Sequence, residues 1–360
     1  MRILHVDEQS GWRGGEQQAS YLIRGLIARG HACVIAGRRG SPFLIRDHGG
    51  EVTARVDAPF RGEADLWSAW ILARALRRFD IDLVHSHTSH ALTYAILACA
   101  LARRGKVVAS RRVDFSPRKN AFSHWKYTRA DGIVAISHRI AEVMRGFGVP
   151  ESKLMVVHSG IDPARMDVEP LPREELGVPS DAPLIGNVAA LVGHKDQATL
   201  IAAMPAVLSV QPQARLLIAG EGPLRGALER QIAELGVGHA VRLLGYRDDI
   251  PRLIKTLDVF VLSSSEEGLG TSVLDAMAAG IPVVATRAGG IPEMVRDNET
   301  GLLAPIGDPS AFARAVTAML GDSALRARLA RRAGKLVAEH FTYQRMVEGN
   351  EEVYRRVLGV

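Results

Sequence analysis

SSSEEGLGTSVLDAMAAGIPVVATRAGGIPEMVRDNETG, residues 263–301, supplies a loop, a helix, a strand and a glycine turn in unbroken succession. Ahead of it, Asp258-Val-Phe-Val-Leu262 is apolar enough for a buried parallel strand, and after a small-residue loop a helix opens at Thr271 and closes on Gly280. Strand, loop and helix start together make an anion site. The backbone N–H groups of Leu269, Gly270 and Thr271 would point out of the sheet's carboxyl edge, where the helix dipole favours a phosphate, with Gly268 leaving room beside them. Glu267 and Asp275 bracket that point: Glu267 lies on the loop, and Asp275 on the helix face of Thr271, one turn inside.

Working outward, strand and helix patterns alternate through the whole chain, which predicts an α/β protein with parallel sheets covered by helices on both faces. Arg2–Val6 reads as the first strand, Gly11–Gly15 as a loop, and Ala19, Leu22, Ile23, Leu26 and Ile27 as one helical stripe ended by Gly30. Further strands are expected at 32–36, 83–86, 106–110, 133–136 and 154–158. Beyond Asp162 the apolar period fades among prolines and mixed charge. The expected division is a first domain over 1–165, a linker over 166–183, a second domain over 184–342 and a last helix over 343–360.

At 360 residues, 47% hydrophobic and 23% charged, the chain can bury two ordinary cores. Cys33 and Cys99 both lie in apolar context and suit reduced thiols in a cytoplasmic protein. The opening MRILHVDEQS reads as a first strand and not as a signal peptide, and the apolar run Ala91–Ala102 is too short to cross a bilayer. A net charge of +6 without a nucleic-acid motif argues against nucleic acid as partner.

The 263–275 segment resembles the E-x7-E signature of family 4 glycosyltransferases, with Asp275 where the second Glu usually stands. VVHSGID at 156–162, VAALVGHKD at 188–196, IAGEGP at 218–223, LLGYRDDI at 243–250 and the turn Gly289-Gly290-Ile-Pro-Glu293 extend the likeness through the second half in family order. The resemblance implies the GT-B fold, two Rossmann-like domains with parallel sheets facing a central cleft, and a last helix that crosses back to the first domain. It implies a retaining transferase that moves a sugar from a nucleotide-diphosphate sugar to a glycan or lipid-linked acceptor in bacterial surface-glycan assembly, of the lipopolysaccharide or exopolysaccharide type. No cofactor and no metal are expected. The leaving phosphate would help deprotonate the acceptor, so no protein base is demanded. A GT-B nucleotide-sugar epimerase is the alternative, and a non-catalytic binder of anionic surfaces or nucleic acid the remote one.

Within that resemblance Lys195 would reach the diphosphate, Glu267 would sit at the reacting centre, and Asp275 would accept ribose hydroxyls. An Arg is usual about five residues before the Lys; here Ala190 stands there, which leaves that role to another cation. Gly220, Glu221 and Gly222 would allow close approach of a ligand, and Tyr246 with Arg247 would border the base. Gly289-Gly290 either shapes the same pocket or is a structural turn. In the first domain, Gly14 and Gly15 at a helix start would admit donor phosphates or acceptor.

Asp80-Ile-Asp82 has the look of a D-x-D metal site but precedes a strand, so a turn and strand cap is expected. His85, His87 and His90 straddle a strand end and share no helical face, which disfavours a metal; His87 is a candidate acceptor contact. Where family members place a His after the next strand this chain has Arg112, so Arg111 or Arg112 could meet an acidic or phosphorylated acceptor, or both could pair with Asp114. Residues 103–129 carry nine Arg and Lys against Asp114 alone, with Phe115, Phe122, Trp125 and Tyr127 interleaved. That mixture suits peripheral contact with an anionic membrane on its cytoplasmic face, the alternative being a solvated basic surface with its aromatics packed inward.

Overall fold

The computed structural model describes residues 1–62 and 65–360, which divide into two compact units. Unit 1 comprises Met1–Ile161 and Tyr343–Val360; unit 2 comprises Asp162–Thr342.

Unit 1 runs β1 (Arg2–Val6), α1 (Gly14–Ala28), β2 (Ala32–Gly37), α2 (Pro42–Ile45), β3 (Ala54–Asp57), α3 (Leu66–Arg78), β4 (Leu83–Ser86), α4 (Ser89–Ala102), β5 (Lys106–Arg111), α5 (Ala121–Arg129), β6 (Gly132–Ala135), α6 (His138–Phe147) and β7 (Leu154–Val156). All its strand pairs are parallel, in the order β3-β2-β1-β4-β5-β6-β7. Strand β3 escapes the sequence reading because ARVD alternates charged and small residues at the sheet's edge, where an apolar run is neither needed nor safe. The Asp80 and Asp82 carboxylates lie at the opposite, amino edge: Asp82 accepts from the Arg2 backbone N–H at 2.8 Å, and Asp80 pairs with Arg2 and Arg104. Asp82 caps the start of β1 and Asp80, at φ +55°, lies in the turn before β4, as the sequence suggests.

Unit 2 runs β8 (Leu184–Val188), α7 (Gln197–Val210), β9 (Arg215–Ala219), α8 (Arg225–Glu234), β10 (Val241–Gly245), α9 (Ile250–Thr256), β11 (Val259–Leu262), α10 (Thr271–Ala278), β12 (Val283–Thr286), α11 (Ile291–Met294), β13 (Leu302–Ala304), α12 (Pro309–Gly321) and α13 (Ser323–His340). Its parallel order β10-β9-β8-β11-β12-β13 follows the same scheme. The expected linker is built into this unit. Leu171, Leu176 and Val178 are buried, the Leu171 N–H donates to Thr256 Oγ1 at 2.9 Å, and Arg173 pairs with Asp258 at 2.9 Å.

The last helix, α14 (Tyr343–Leu358), belongs to unit 1 and packs along α1. Chain exit and return lie side by side, since the Tyr343 N–H donates to the Ile161 carbonyl at 2.7 Å. Met346, Val347, Val353 and Tyr354 enter the same core as Leu22, Ile23 and Leu26. Gly25 lets the helices meet: a Cβ there would stand 2.4 Å from Val347 Cγ2. Gly25→Leu should therefore lower unfolding free energy by about 1–3 kcal/mol in urea titration through overpacking. Stability equal to the parent would mean that α1 and α14 do not pack this closely.

In both sheets the strand order reverses between the first and fourth members, β1/β4 in unit 1 and β8/β11 in unit 2. Doubly wound sheets bind ligands beyond the carboxyl ends of strands at that reversal, because the two adjacent loops diverge to opposite faces there.

Candidate active site

In unit 2 the two loops at the reversal carry the two residues that sequence singles out. Strand β11 is followed by Ser263 and Ser264, both fully buried. Ser263 Oγ lies 3.2 Å from the Lys195 carbonyl and 2.8 Å from that of Asp196, and the Ser265 N–H donates to the His194 carbonyl at 2.9 Å. These bonds staple the loop after β8 to the loop after β11. Asp196 completes the turn at φ +46° and caps α7 by accepting from the Thr199 N–H, so the Lys195 backbone is fixed from both sides.

The consequence is an ion pair between Lys195 and Glu267, whose side chains are only 19% and 11% exposed. Ser264 Oγ donates to the same Glu267 oxygen at 3.2 Å. The Glu267 backbone is braced in turn, its carbonyl accepting from the Gly290 N–H at 2.9 Å. The Gly289-Gly290 turn thus has a structural task. Gly270, at φ +91°, precedes the first turn of α10, and no side chain caps that helix among the described residues. A Cβ on Gly270 would meet Met294 Cε at 3.0 Å and Glu267 Cγ at 3.3 Å, so glycine serves both the backbone angle and the approach of Glu267. Gly268 and Leu269 are buried, and Thr271 is half-buried at the helix's first position.

Asp275 stands one turn into α10. Its Oδ1 is buried without a hydrogen-bond partner among the described residues, and burial pushes the carboxyl up to about 6 despite the opposing charge of Arg165. Arg165 comes from the short turn Pro163–Met166, which packs against α10. It is a cation near the site that the sequence reading passes over, since it sits in the stretch read as the end of domain one. At position 190 the Ala carbonyl accepts from Gln197 Nε2 at 3.0 Å.

The glycines at 220 and 222 serve the chain itself. A Cβ on Gly220, at φ +147°, would lie 2.0 Å from the Ala189 carbonyl oxygen, and one on Gly222 2.3 Å from that of Leu191. What approaches closely here is the backbone of the loop carrying Lys195, so the chain itself requires glycine at both positions. Glu221 pairs with Arg225 at 2.9 Å; Arg247 is held by Asp249 at 2.7 Å, while Tyr246 is 74% exposed.

In unit 1 the reversal point gathers a different set. His5 on β1 stands in register with His85 on β4, and His87 follows the strand. All three imidazoles are buried. Arg112 donates to His87 Nδ1 at 3.1 Å, and because a guanidinium only donates, the His87 proton sits on Nε2, 3.1 Å from His5 Nδ1. His85 bonds Tyr354 and, at 2.8 Å, Ser110. Ring nitrogens of His5, His85 and His87 come within 4.8 Å of one another, yet these bonds leave only His5 Nε2 without a partner, fewer than a zinc ion needs. Gly15 abuts Arg112: a Cβ there would lie 3.8 Å from its Cδ. Gly14 and Gly15 open α1, where Glu16 accepts from the Arg13 N–H at 2.7 Å. Asp7, just past β1, is buried and its carboxyl is pushed up to about 7 by burial, with Glu16 and Glu8 reinforcing and Arg112 opposing.

Several charges expected at the surface are otherwise employed. Arg111 is buried, donating to Tyr127 Oη at 3.0 Å and to the Phe115 carbonyl, so it is corrected from an acceptor contact to a brace for the 112–115 loop. Arg112, half-buried and lowered to about 10 by burial, remains beside His87 and the Gly15 helix start. His87 itself is 3% exposed. Within 103–129, Lys126 is buried against Ser89 at 3.0 Å, Lys106 pairs with Asp131, and Tyr127 points into the core. Arg103, Arg118, Lys119 and Arg129 are exposed, as are Phe115, Phe122 and Trp125.

The raised Asp275 carboxyl has a measurable consequence. Between its ordinary 3.8 and about 6 the native state holds a proton that the unfolded chain has released, so stability falls as pH rises through that window and stays reduced above it. Asp275→Asn should be more stable than the parent at neutral pH, by at most on the order of 3 kcal/mol, with the gap closing near pH 4. A pH-independent difference in urea titrations would contradict the burial of this carboxyl.

A family model described as "Glycosyltransferase Family 4" matches residues 12–165, and one described as "Glycosyl transferases group 1" matches 169–336. The chain is 33% identical over 245 residues to the lipopolysaccharide core biosynthesis glycosyltransferase LpsE of Rhizobium meliloti, covering 68% of each. It is 28% identical to the 2-deoxystreptamine glucosyltransferase of Streptomyces kanamyceticus, covering 90% of this chain and 93% of that one. Among solved structures, Anabaena Alr3699/HepE in complex with UDP-glucose superposes with a TM-score of 0.84 at 24% identity over the full length of both chains. The two parallel-sheet units are those of the GT-B fold, and the chain belongs to glycosyltransferase family 4.

Proposed function

We propose that this glycosyltransferase moves a sugar, with retention and without a metal, from a nucleotide-diphosphate sugar to a hydroxyl of a glycan or lipid-linked acceptor in bacterial surface-glycan assembly. The observation that carries the reading is the Lys195–Glu267 pair beside the uncapped start of α10. Bond cleavage adds a negative charge to the terminal phosphate of a diphosphate that already carries one on each phosphate. A lysine already positioned and a row of backbone N–H groups stabilise such charge without reorganising. When the diphosphate enters, Lys195 exchanges the Glu267 carboxylate for phosphate, and Glu267 is freed toward the sugar. Asp275, with an unmet oxygen, is suited to the ribose hydroxyls. In unit 1, Arg112 and His87 beside Gly14 and Gly15 are the acceptor or phosphate groups, and Tyr246 with Arg247 border the base.

Support for the substrate class comes from LpsE, named for lipopolysaccharide core biosynthesis, and from HepE, whose structure holds UDP-glucose. The lipopolysaccharide outer core galactosyltransferase WaaB shares the fold with a TM-score of 0.74. No helix among the described residues is long and apolar enough to cross a membrane. We place the enzyme in the cytoplasm, peripheral on the inner membrane face through 103–129, where each exposed cation adds about 1 kcal/mol near an anionic leaflet. The epimerase alternative differs in needing no acceptor.

Transfer from the nucleotide-sugar found by a thermal-shift screen should persist in EDTA and yield the donor's anomeric configuration by NMR. Lys195→Ala and Glu267→Ala should each lower turnover by about 10²–10³-fold, while Asp275→Ala should chiefly raise KM. Activity lost to EDTA and restored by magnesium, or near-parental rates in both alanine variants, would refute the assignment.

A further inference from the structure

One surface of unit 1 takes no part in this chemistry. Helices α3, α4 and α5 lie side by side, α3 on α4 and α4 on α5. Their sequences LWSAWILARALRR, SHALTYAILACALA and AFSHWKYTR contain no Asp or Glu. On α3, Leu66, Trp67 and Trp70 are exposed by 65%, 56% and 41%, although the same helix buries Leu72 and Leu76 completely. The two indoles stack with centroids 4.6 Å apart, and Arg74 lies over Trp70 at 4.9 Å. On α5, Phe122 and Trp125 form a second exposed stack at 5.6 Å. Both helices follow parallel strands, so both begin at the carboxyl edge of one sheet, and the two aromatic pairs, each in its helix's first turns, flank the start of α4.

Exposed stacked aromatics, with Arg74 against one pair and Arg77 and Arg78 following on the same helix, fit the headgroup zone of an anionic bilayer, where indoles sit at the interface and arginines meet phosphate. A second copy of the same face fits poorly, because a two-fold interface would set Arg74, Arg77 and Arg78 against their own kind with no acid on these helices to answer them. We infer that Trp67 and Trp70 form a second membrane anchor, so that unit 1 rests on an anionic leaflet through α3 together with α5; this builds on the peripheral-membrane reading given above.

The test is co-sedimentation of the full chain with vesicles of phosphatidylcholine alone or mixed with phosphatidylglycerol. Trp67→Ser/Trp70→Ser should bind the mixed vesicles about tenfold more weakly than the parent, comparably to Phe122→Ser/Trp125→Ser. Parent and variants should unfold at similar temperatures. A variant that keeps only Trp67 and Trp70 as tryptophans should have its fluorescence quenched by brominated lipid. Parental binding by the α3 variant while the α5 variant loses it overturns the inference and leaves the peripheral reading standing. No binding by the parent overturns both. Self-association in sedimentation velocity that disappears in the α3 variant, without lipid quenching, overturns the inference in favour of a second copy.

Discussion

Two opposite charges largely withdrawn from water, Lys195 and Glu267, set the arrangement of unit 2's loops. Neither residue would tolerate such burial alone, since removing one partner of a withdrawn pair leaves an uncompensated charge. The pair therefore requires that the loops after β8 and β11 be held in one register, and Ser263, Ser264, the left-handed Asp196 and the Gly290 N–H all act to hold them. Even the tight packing of Gly220 and Gly222 under Ala189 and Leu191 supports the lysine-bearing loop from below. In the function proposed, such a pair keeps a cation ready for phosphate without leaving it bare.

At the corresponding point unit 1 gathers mostly neutral groups around one guanidinium. Its sheet reverses at β1/β4, and the residues at that point are imidazoles, a half-buried guanidinium and the Asp7 carboxyl, which burial pushes up to about 7. Burial drives the His5 ring down to about 3, so His5 meets the His87 N–H as a neutral acceptor. Arg112 fixes the direction of the chain by donating to His87. The same fold thus presents a charged pair in one unit and a largely uncharged relay in the other.

The parts legible in the sequence are those written along one stretch of chain. Strand β11, its loop and α10 are contiguous, so Glu267, Gly270 and Asp275 could be placed before any coordinates, and the strands at 2–6 and 83–86 have the expected bounds. What failed depended on neighbours distant in sequence. His5 looks like an inward strand residue until β4 is laid beside β1, and nothing local to Asp7 announces its burial, nor anything local to Arg165 its nearness to Asp275. Arg111 and Lys126 belong to a run of cations that reads as surface, yet each turns inward to an oxygen, Tyr127 Oη and Ser89 Oγ, supplied by other elements. Gly220 and Gly222 show the same limit: spacing announces a close approach but not what approaches.

The claim that Lys195 is a phosphate partner held in reserve by Glu267 is tested most directly by calorimetric titration of the matching nucleoside and its diphosphate into the parent and Lys195→Met. If the account is correct, the substitution weakens diphosphate binding by about tenfold or more, as expected for loss of a charge-assisted contact, while leaving nucleoside binding unchanged. Equal diphosphate affinity in the two proteins would contradict it.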